Sequence, residues 1–240
     1  MKEVRYFYVP AAAKEQELPA EEAQHALRVL RLCPGDEFFL MDGRGTFYRA
    51  EVTMATSKRC MYEIKEALPQ EKTWHGRIHL AIAPTKMMER IEWLLEKSTE
   101  IGADEFSFLN CKFSERKVVK LPRLDKIVIS AMKQSRKPWK PVLNEIVDFK
   151  TFVSSPCNGR KFIAHCYEEF DKKDFFDAIT QLPADDEITV LVGPEGDFSV
   201  DEVQLAMSYG YEPISLGQSR LRTETAGLMA IVMSMLAKRK

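Results

Sequence analysis

Five apolar runs alternate with five helical ones along the second part of the chain. Ile78–Pro84 (IHLAIAP), Glu105–Leu109 (EFSFL), Lys161–Cys166 (KFIAHC), Glu187–Gly193 (EITVLVG) and Glu212–Gly217 (EPISLG) carry little of the polar alternation of a half-exposed strand. Between and after them, Lys86–Ala103, Leu121–Ser135, Lys173–Leu182, Ser199–Gly210 and Thr223–Lys238 have helical character. In the first of these, Met87, Ile91, Leu94, Leu95, Ser98 and Ile101 recur at three and four, and Gly102 is a stop signal. Pro122 opens the second helix, and Ser199 is a ready N-cap for the fourth. Strands that are apolar on both faces need cover on both, and helical crossovers supply it. The pattern therefore predicts an α/β fold around a parallel sheet, with ligand sites beyond the carboxyl ends of the strands.

The first part reads differently. Residues 4–9 (VRYFYV) read as a strand, Ala20–Leu32 as a helix with Arg28 and Arg31 on its outer side, and CPGDEF as a turn. FFLMDGRGTFYRAEV reads as a hairpin about Gly-Arg-Gly, and CMYEIKEAL as a further strand. Residues 1–70 are thus expected to form a small β-rich domain and 71–240 the larger α/β domain, with polar Pro69–Gly76 as the linker.

The net charge of −1 conceals an asymmetry. Lys112–Lys140 holds ten Lys/Arg and two acids, a net of +8, whereas Pro141–Glu212 holds five bases and fifteen acids, a net of −10. A basic block of this density attracts phosphates at long range. Within it, Lys133–Pro141 (KQSRKPWKP) sets Trp139 among bases, the stacking and neutralising combination of RNA-binding surfaces; a solvated helix face is the alternative. The five cysteines are odd in number and lack CxxC spacing, which argues for reduced thiols and against a disulfide or zinc framework, so no metal is expected. Neither a signal-peptide region nor a membrane span is apparent, and a cytoplasmic protein is expected.

Two loops carry the functional signal. Leu191–Ser199 (LVGPEGDFS) follows one strand and Leu216–Ala226 (LGQSRLRTETA) another. Both are poor in side chains, so their hydrogen-bonding groups are largely backbone. That suits a flat adenine ring, and Gly193, Gly196 and Gly217 permit its approach. Neither loop holds a lysine and no GxxxxGK[ST] occurs, which disfavours a P-loop nucleotidase. Tight strand-to-helix turns are the plain structural alternative.

With Glu89–Ala103 (ERIEWLLEKSTEIGA) and Met132–Pro141 (MKQSRKPWKP), these loops resemble the RsmE family, the SPOUT-superfamily methyltransferases of 16S ribosomal RNA acting on uridine N3. HALRVLRLCPGDEFFLMDGRG resembles the family's PUA-like RNA-binding domain, so the likeness covers nearly the whole chain. It implies S-adenosylmethionine as cofactor, a C-terminal trefoil knot, a homodimer, and 16S rRNA in the small (30S) ribosomal subunit as partner. A different SPOUT RNA methyltransferase, or a non-enzymatic RNA-binding assembly factor, would share part of the pattern.

Residue by residue, the resemblance implies a first cofactor loop at Gly193, Pro194, Glu195 and Gly196. The second comprises Leu216, Gly217, Ser219, Leu221, Thr223, Thr225 and Ala226, and the third Ala164 and His165. Arg222 and Glu224 are the catalytic candidates. Arg222 would stabilise negative charge on a uracil that gives up its N3 proton; Glu224 would act as base, orient Arg222, or serve only as a first-turn acid beside an N-capping Thr223. RNA-binding candidates are Arg5, Arg28, Arg31 and Arg44 in the first domain and Arg116, Lys117, Arg136 and Lys137 in the basic block. Asp197 departs from the family, which commonly has glycine there, and Gln218-Ser219-Arg220 leaves the role of Arg220 open.

Overall fold

The computed structural model describes residues 5–240. Contacts divide the chain into two compact units: Met1–Lys72 with Met132–Lys140, and Thr73–Ala131 with Pro141–Lys240.

In the first unit, β1 (Tyr6–Tyr8), β2 (Glu37–Met41), β3 (Thr46–Ala55) and β4 (Cys60–Pro69) form a sheet in sequence order. β1 runs parallel to β2 and the later pairs are antiparallel. Val4, with which the expected first strand begins, lies outside the described residues. The β2–β3 turn is set by Asp42, whose carboxylate accepts the N–H groups of Arg44 (2.7 Å) and Thr46 (3.0 Å). Phe7, Phe38 and Tyr62 make the centre of the core, edge to face at 5.3 and 6.0 Å. The helix expected over Ala20–Leu32 is shorter: α1 (Ala20–Gln24) widens into a π turn at His25–Val29, and Arg31 has left the helix at φ 53°. Trp139 lies flat on Gly45, where any Cβ would collide with the indole. A half-buried brace is therefore what the structure makes of this tryptophan, with the Lys72 ammonium 5.7 Å from the ring.

The second unit follows the predicted alternation. It comprises β5 (Arg77–Ile82), α2 (Met88–Ile101), β6 (Glu105–Asn110), the larger part of α3 (Leu121–Ser135), β7 (Val142–Asp148), α4 (Phe149–Ser154) and β8 (Arg160–Ala164). Then come β9 (Lys173–Asp174), α5 (Phe175–Thr180), β10 (Glu187–Val192), α6 (Val200–Ser208), β11 (Glu212–Ser215) and α7 (Thr223–Lys238). The sheet is parallel throughout, in the order β7-β6-β5-β10-β8-β11-β9. Leu80, Ile82, Phe106, Phe108, Ile188 and Val190 are buried, as strands covered on both faces require. Ser199 caps α6 with Glu202 in a reciprocal capping box, and Gly102 ends α2 at φ 128°. β7, α4 and the two-residue β9 were not among the expected elements. β7 is an edge strand whose sequence, VLNEIVD, is too polar to register as a buried run. The supposed linker is pinned at its far end, where Trp74 is buried and its indole N–H donates to Asp104 Oδ2 at 2.9 Å. Among the described residues no helix is long and apolar enough to cross a membrane.

Candidate active site

Because every strand of the larger sheet points the same way, the loops that follow them collect at one edge. Ile82, Val192, Ala164 and Ile214 stand in one row across β5, β10, β8 and β11. The loops beginning at Ala83, Gly193, His165 and Leu216 thus leave four neighbouring strands side by side. Three of them are the loops singled out from the sequence.

They are stitched together by hydrogen bonds. Glu195 Oε1 accepts the Lys86 N–H at 3.0 Å, so this carboxylate braces the loop after β5. Arg116 donates to the carbonyls of Thr85 (3.2 Å) and Lys86 (2.6 Å). That guanidinium, taken from the sequence as an RNA contact, is engaged in the loop framework, whereas the neighbouring Lys117 is exposed. Asp197 has φ 65°, a left-handed conformation that suits glycine and that Asp tolerates. Its carboxylate accepts from Cys166 N–H (2.8 Å) and Phe198 N–H (2.7 Å), and the Tyr167 hydroxyl donates to the Phe198 carbonyl at 2.7 Å. The departure from glycine thus ties the loop after β8 to the loop after β10. Asp197→Ala, which loses both bonds and keeps the unfavourable φ, is expected to lower stability by about 2–4 kcal/mol. Asp197→Gly should cost about 1 kcal/mol less. Chemical denaturation of the two variants checks the order.

His165 is buried, yet both ring nitrogens lack a hydrogen-bond partner among the described residues. The ring sits beside Tyr167 (5.9 Å) and Phe170 (5.4 Å), and burial, with Lys172 nearby, depresses its pKa to about 4. His79, within the interior strand β5 and 2.9 Å from Ser107 Oγ, is also brought to about 4 by burial. The unfolded chain takes up these protons near pH 6.5 and the folded chain only near 4, so acid favours unfolding. Stability should be flat above about pH 7 and fall below it by roughly 1.4 kcal/mol per pH unit for each imidazole. Thermal midpoints of the protein and of His165→Gln between pH 7.5 and about 4.5 test this, the variant being expected to show the shallower slope.

The loop after β11 turns on the Ser215 hydroxyl, which donates to the Gly217 carbonyl (3.0 Å) and accepts from Gly217 N–H (3.2 Å). Gly217 has φ 112° with open space where a Cβ would be. Gly217, Ser219 and Arg220 are exposed, and Leu216 and Leu221 half-buried. The N-cap of α7 is Arg222 rather than the expected Thr223, which is already helical and buried. Thr225 and Ala226 follow in the first turn, where Ala226 N–H bonds to the Arg222 carbonyl at 2.8 Å. The Arg222 side chain plays no part in the cap and is exposed, without a hydrogen-bond or ion-pair partner among the described residues. Glu224 is buried. Its Oε1 lies 3.8 Å from Arg90 Nε, and its Oε2 has no hydrogen-bond partner among the described residues. The charged neighbour of Glu224 is therefore Arg90, from the start of α2, and not Arg222. In the sequence Arg90 is one residue of the Glu89–Ala103 stretch, and spacing along the chain does not show which helix ends meet.

The other RNA candidates lie in the first unit. Arg5 donates to the Leu30 carbonyl at 2.9 Å; Arg28, Arg31, Arg44 and Arg136 are exposed, and Lys137 is half-buried with a pKa lowered by desolvation. No cluster of metal-ligating side chains occurs among the described residues.

The family model for the RNA methyltransferase domain matches residues 72–235, and that for the RNA methyltransferase PUA domain matches residues 18–61. The ribosomal RNA small subunit methyltransferase E of Synechocystis sp. is 28% identical over 219 residues, 89% of this chain and 70% of that protein. Among solved structures, a "probable rRNA-methyltransferase from Porphyromonas gingivalis" is 42% identical with a TM-score of 0.85, over 95% of both chains. The ribosomal RNA small subunit methyltransferase E of Neisseria gonorrhoeae, bound to S-adenosylmethionine, is 28% identical with a TM-score of 0.80, again over 95% of both.

Proposed function

Because this chain belongs to the RNA methyltransferase family, we propose that it methylates N3 of a uridine in 16S ribosomal RNA, using S-adenosylmethionine. The observation that carries the reading is the row of three neighbouring strand ends, β10, β8 and β11: the loops after β10 and β11 are short of side chains, and Asp197 ties the loop after β10 to the loop after β8. The site fits the cofactor on its own terms. It offers exposed glycine backbone at Gly196 and Gly217, open space above Gly217, and in His165 a buried imidazole with both nitrogens unpartnered among the described residues; Gly193, proposed with them, is buried, and its missing side chain leaves room for Phe198 of the same loop. Pro194, Leu216, Ser219, Leu221, Thr223, Thr225, Ala226 and Ala164 complete the proposed lining. Bound there, S-adenosylmethionine supplies an electrophilic methyl group.

The chain's own residues do the rest. Arg222, on a backbone fixed by the loop and the α7 cap, presents a guanidinium to the uracil carbonyls and stabilises the anion left when N3 loses its proton. Glu224 is the proposed acceptor of that proton through its unpartnered oxygen, with Arg90 holding the carboxylate in place. Depressed to about 4, the His165 pKa keeps that ring neutral at physiological pH and suits it to hydrogen bonding rather than charge.

The same reading includes a trefoil knot in the chain that forms the two glycine loops, work in the cytoplasm on the 30S subunit, and a homodimer. Dimerisation is supported by Leu236 on α7 and Trp93 on α2, the helix packed against it, which are 48% and 43% exposed. Tritiated S-adenosylmethionine, offered with small subunits lacking the methyl group and in parallel with bulk transfer RNA, tests the substrate class. Label in 16S rRNA is expected; label confined to transfer RNA would overturn the reading.

A further inference from the structure

Two arginines of the first unit occupy backbone positions that favour glycine. α3 closes in a Schellman motif: Lys137 N–H reaches the Met132 carbonyl at 3.1 Å, Arg136 N–H reaches Lys133, and Pro138 follows. The left-handed residue of that motif is Arg136, at φ 53°. The π turn after α1 closes in a wider version, with Leu32 N–H on the Ala26 carbonyl at 3.0 Å, and its left-handed residue is Arg31, also at φ 53°. The second unit solves the same problem with glycine: Gly102 at φ 128° ends α2 and Gly210 at φ 83° follows α6. Among the described residues, the only non-glycine besides these two arginines with a positive φ is Asp197, whose carboxylate makes two backbone hydrogen bonds. The arginine side chains give the fold little in return. Neither guanidinium has a hydrogen-bond or ion-pair partner among the described residues, and Arg136 only overlies Tyr6 at 5.6 Å.

The two positions flank one edge of the small sheet. Arg31 follows Leu30, whose carbonyl is held by Arg5, the residue before β1; Arg136 covers Tyr6, the first residue of β1. An exposed cation retained at a strained cap, twice, around one edge strand points to a requirement outside the fold. We propose that Arg31 and Arg136 are phosphate contacts for the RNA substrate, kept as arginine although glycine would make the unit more stable. The inference rests on the reading of this chain as an RNA methyltransferase and assigns to these two positions a share of its substrate affinity.

The test compares Arg31→Gly, Arg136→Gly and the two Arg→Lys variants in the full-length protein. Thermal midpoint, affinity for a 16S rRNA transcript at several potassium chloride concentrations, and calorimetric affinity for S-adenosylmethionine are measured on each. Each glycine variant should melt roughly 2–4 °C higher, the gain expected from relieving one left-handed non-glycine residue in a chain of this size. Each should also bind RNA several-fold more weakly, with a salt slope shallower by about 0.7–0.9 and cofactor affinity unchanged. The lysine variants should keep the wild-type midpoint and slope. Glycine variants with wild-type affinity and slope would overturn the proposal, and so would weaker binding without a gain in midpoint, since the arginines would then be serving the caps. Failure of the unaltered protein to bind the transcript would instead remove the methyltransferase reading beneath it.

Discussion

Replacing Arg222 with alanine is expected to lower the single-turnover methylation rate by roughly 10²–10³, the usual loss of one donor that stabilises charge in a transition state. Cofactor affinity should change little. Arg222 shapes the site through its backbone, whose carbonyl takes the Ala226 N–H and whose extended dihedrals (φ −72°, ψ 157°) enter α7. Alanine adopts the same dihedrals, so the loop survives the change. What disappears is an exposed guanidinium that has no hydrogen-bond or ion-pair partner among the described residues. Arg222→Lys should restore little of the rate, because a point charge does not reproduce a planar fork facing two carbonyls. If rate and cofactor affinity fall together, Arg222 is a brace of the pocket and the assignment fails.

Gly196→Val should weaken S-adenosylmethionine binding by at least about 100-fold and leave the fold intact. Gly196 is exposed and its φ is not positive, so the backbone accepts a side chain there. A Cβ would meet Phe113 Cβ at 3.3 Å, a tight contact to which the exposed Phe113 side chain can yield, and the branched methyl groups thicken the loop against which the adenosine is proposed to lie. Gly217→Val tests the same pocket less cleanly, since at φ 112° the substitution strains the loop before it fills any space. Calorimetric titration of Gly196→Val, with its far-ultraviolet spectrum and melting point matching the parent, decides the matter. Unchanged affinity would remove the loop after β10 from the pocket.

The sequence was most legible where local chemistry and the global fold agree. Strands buried on both faces, the Ser199 cap, the Gly102 stop and the Gly-Arg-Gly hairpin each declare themselves within a few residues. Parallel strands then determine which end of the sheet carries the loops that follow them, so the grouping of the candidate loops follows from the strand pattern. β7 escaped because an edge strand is half solvated and its Asn144, Glu145 and Asp148 look like loop residues. Other contacts depend on which distant elements meet, and periodicity carries no such information. Glu224 meets Arg90, Arg116 spends its donors on Thr85 and Lys86, and Trp139 settles on Gly45. Asp197 is an intermediate case: its tolerance of a turn was readable, but the bonds to Cys166 and Phe198 that make it a clasp were not.

The central claim is transfer of a methyl group to a ring nitrogen of uridine, and one measurement addresses it. Small subunits lacking the modification are incubated with the protein and S-adenosylmethionine carrying a deuterated methyl group, and the 16S rRNA is then digested to nucleosides for mass spectrometry. The account predicts a single deuterated product that co-elutes with 3-methyluridine, with the label on the base after glycosidic cleavage. Label on the ribose, on another base, or in no nucleoside at all would contradict it.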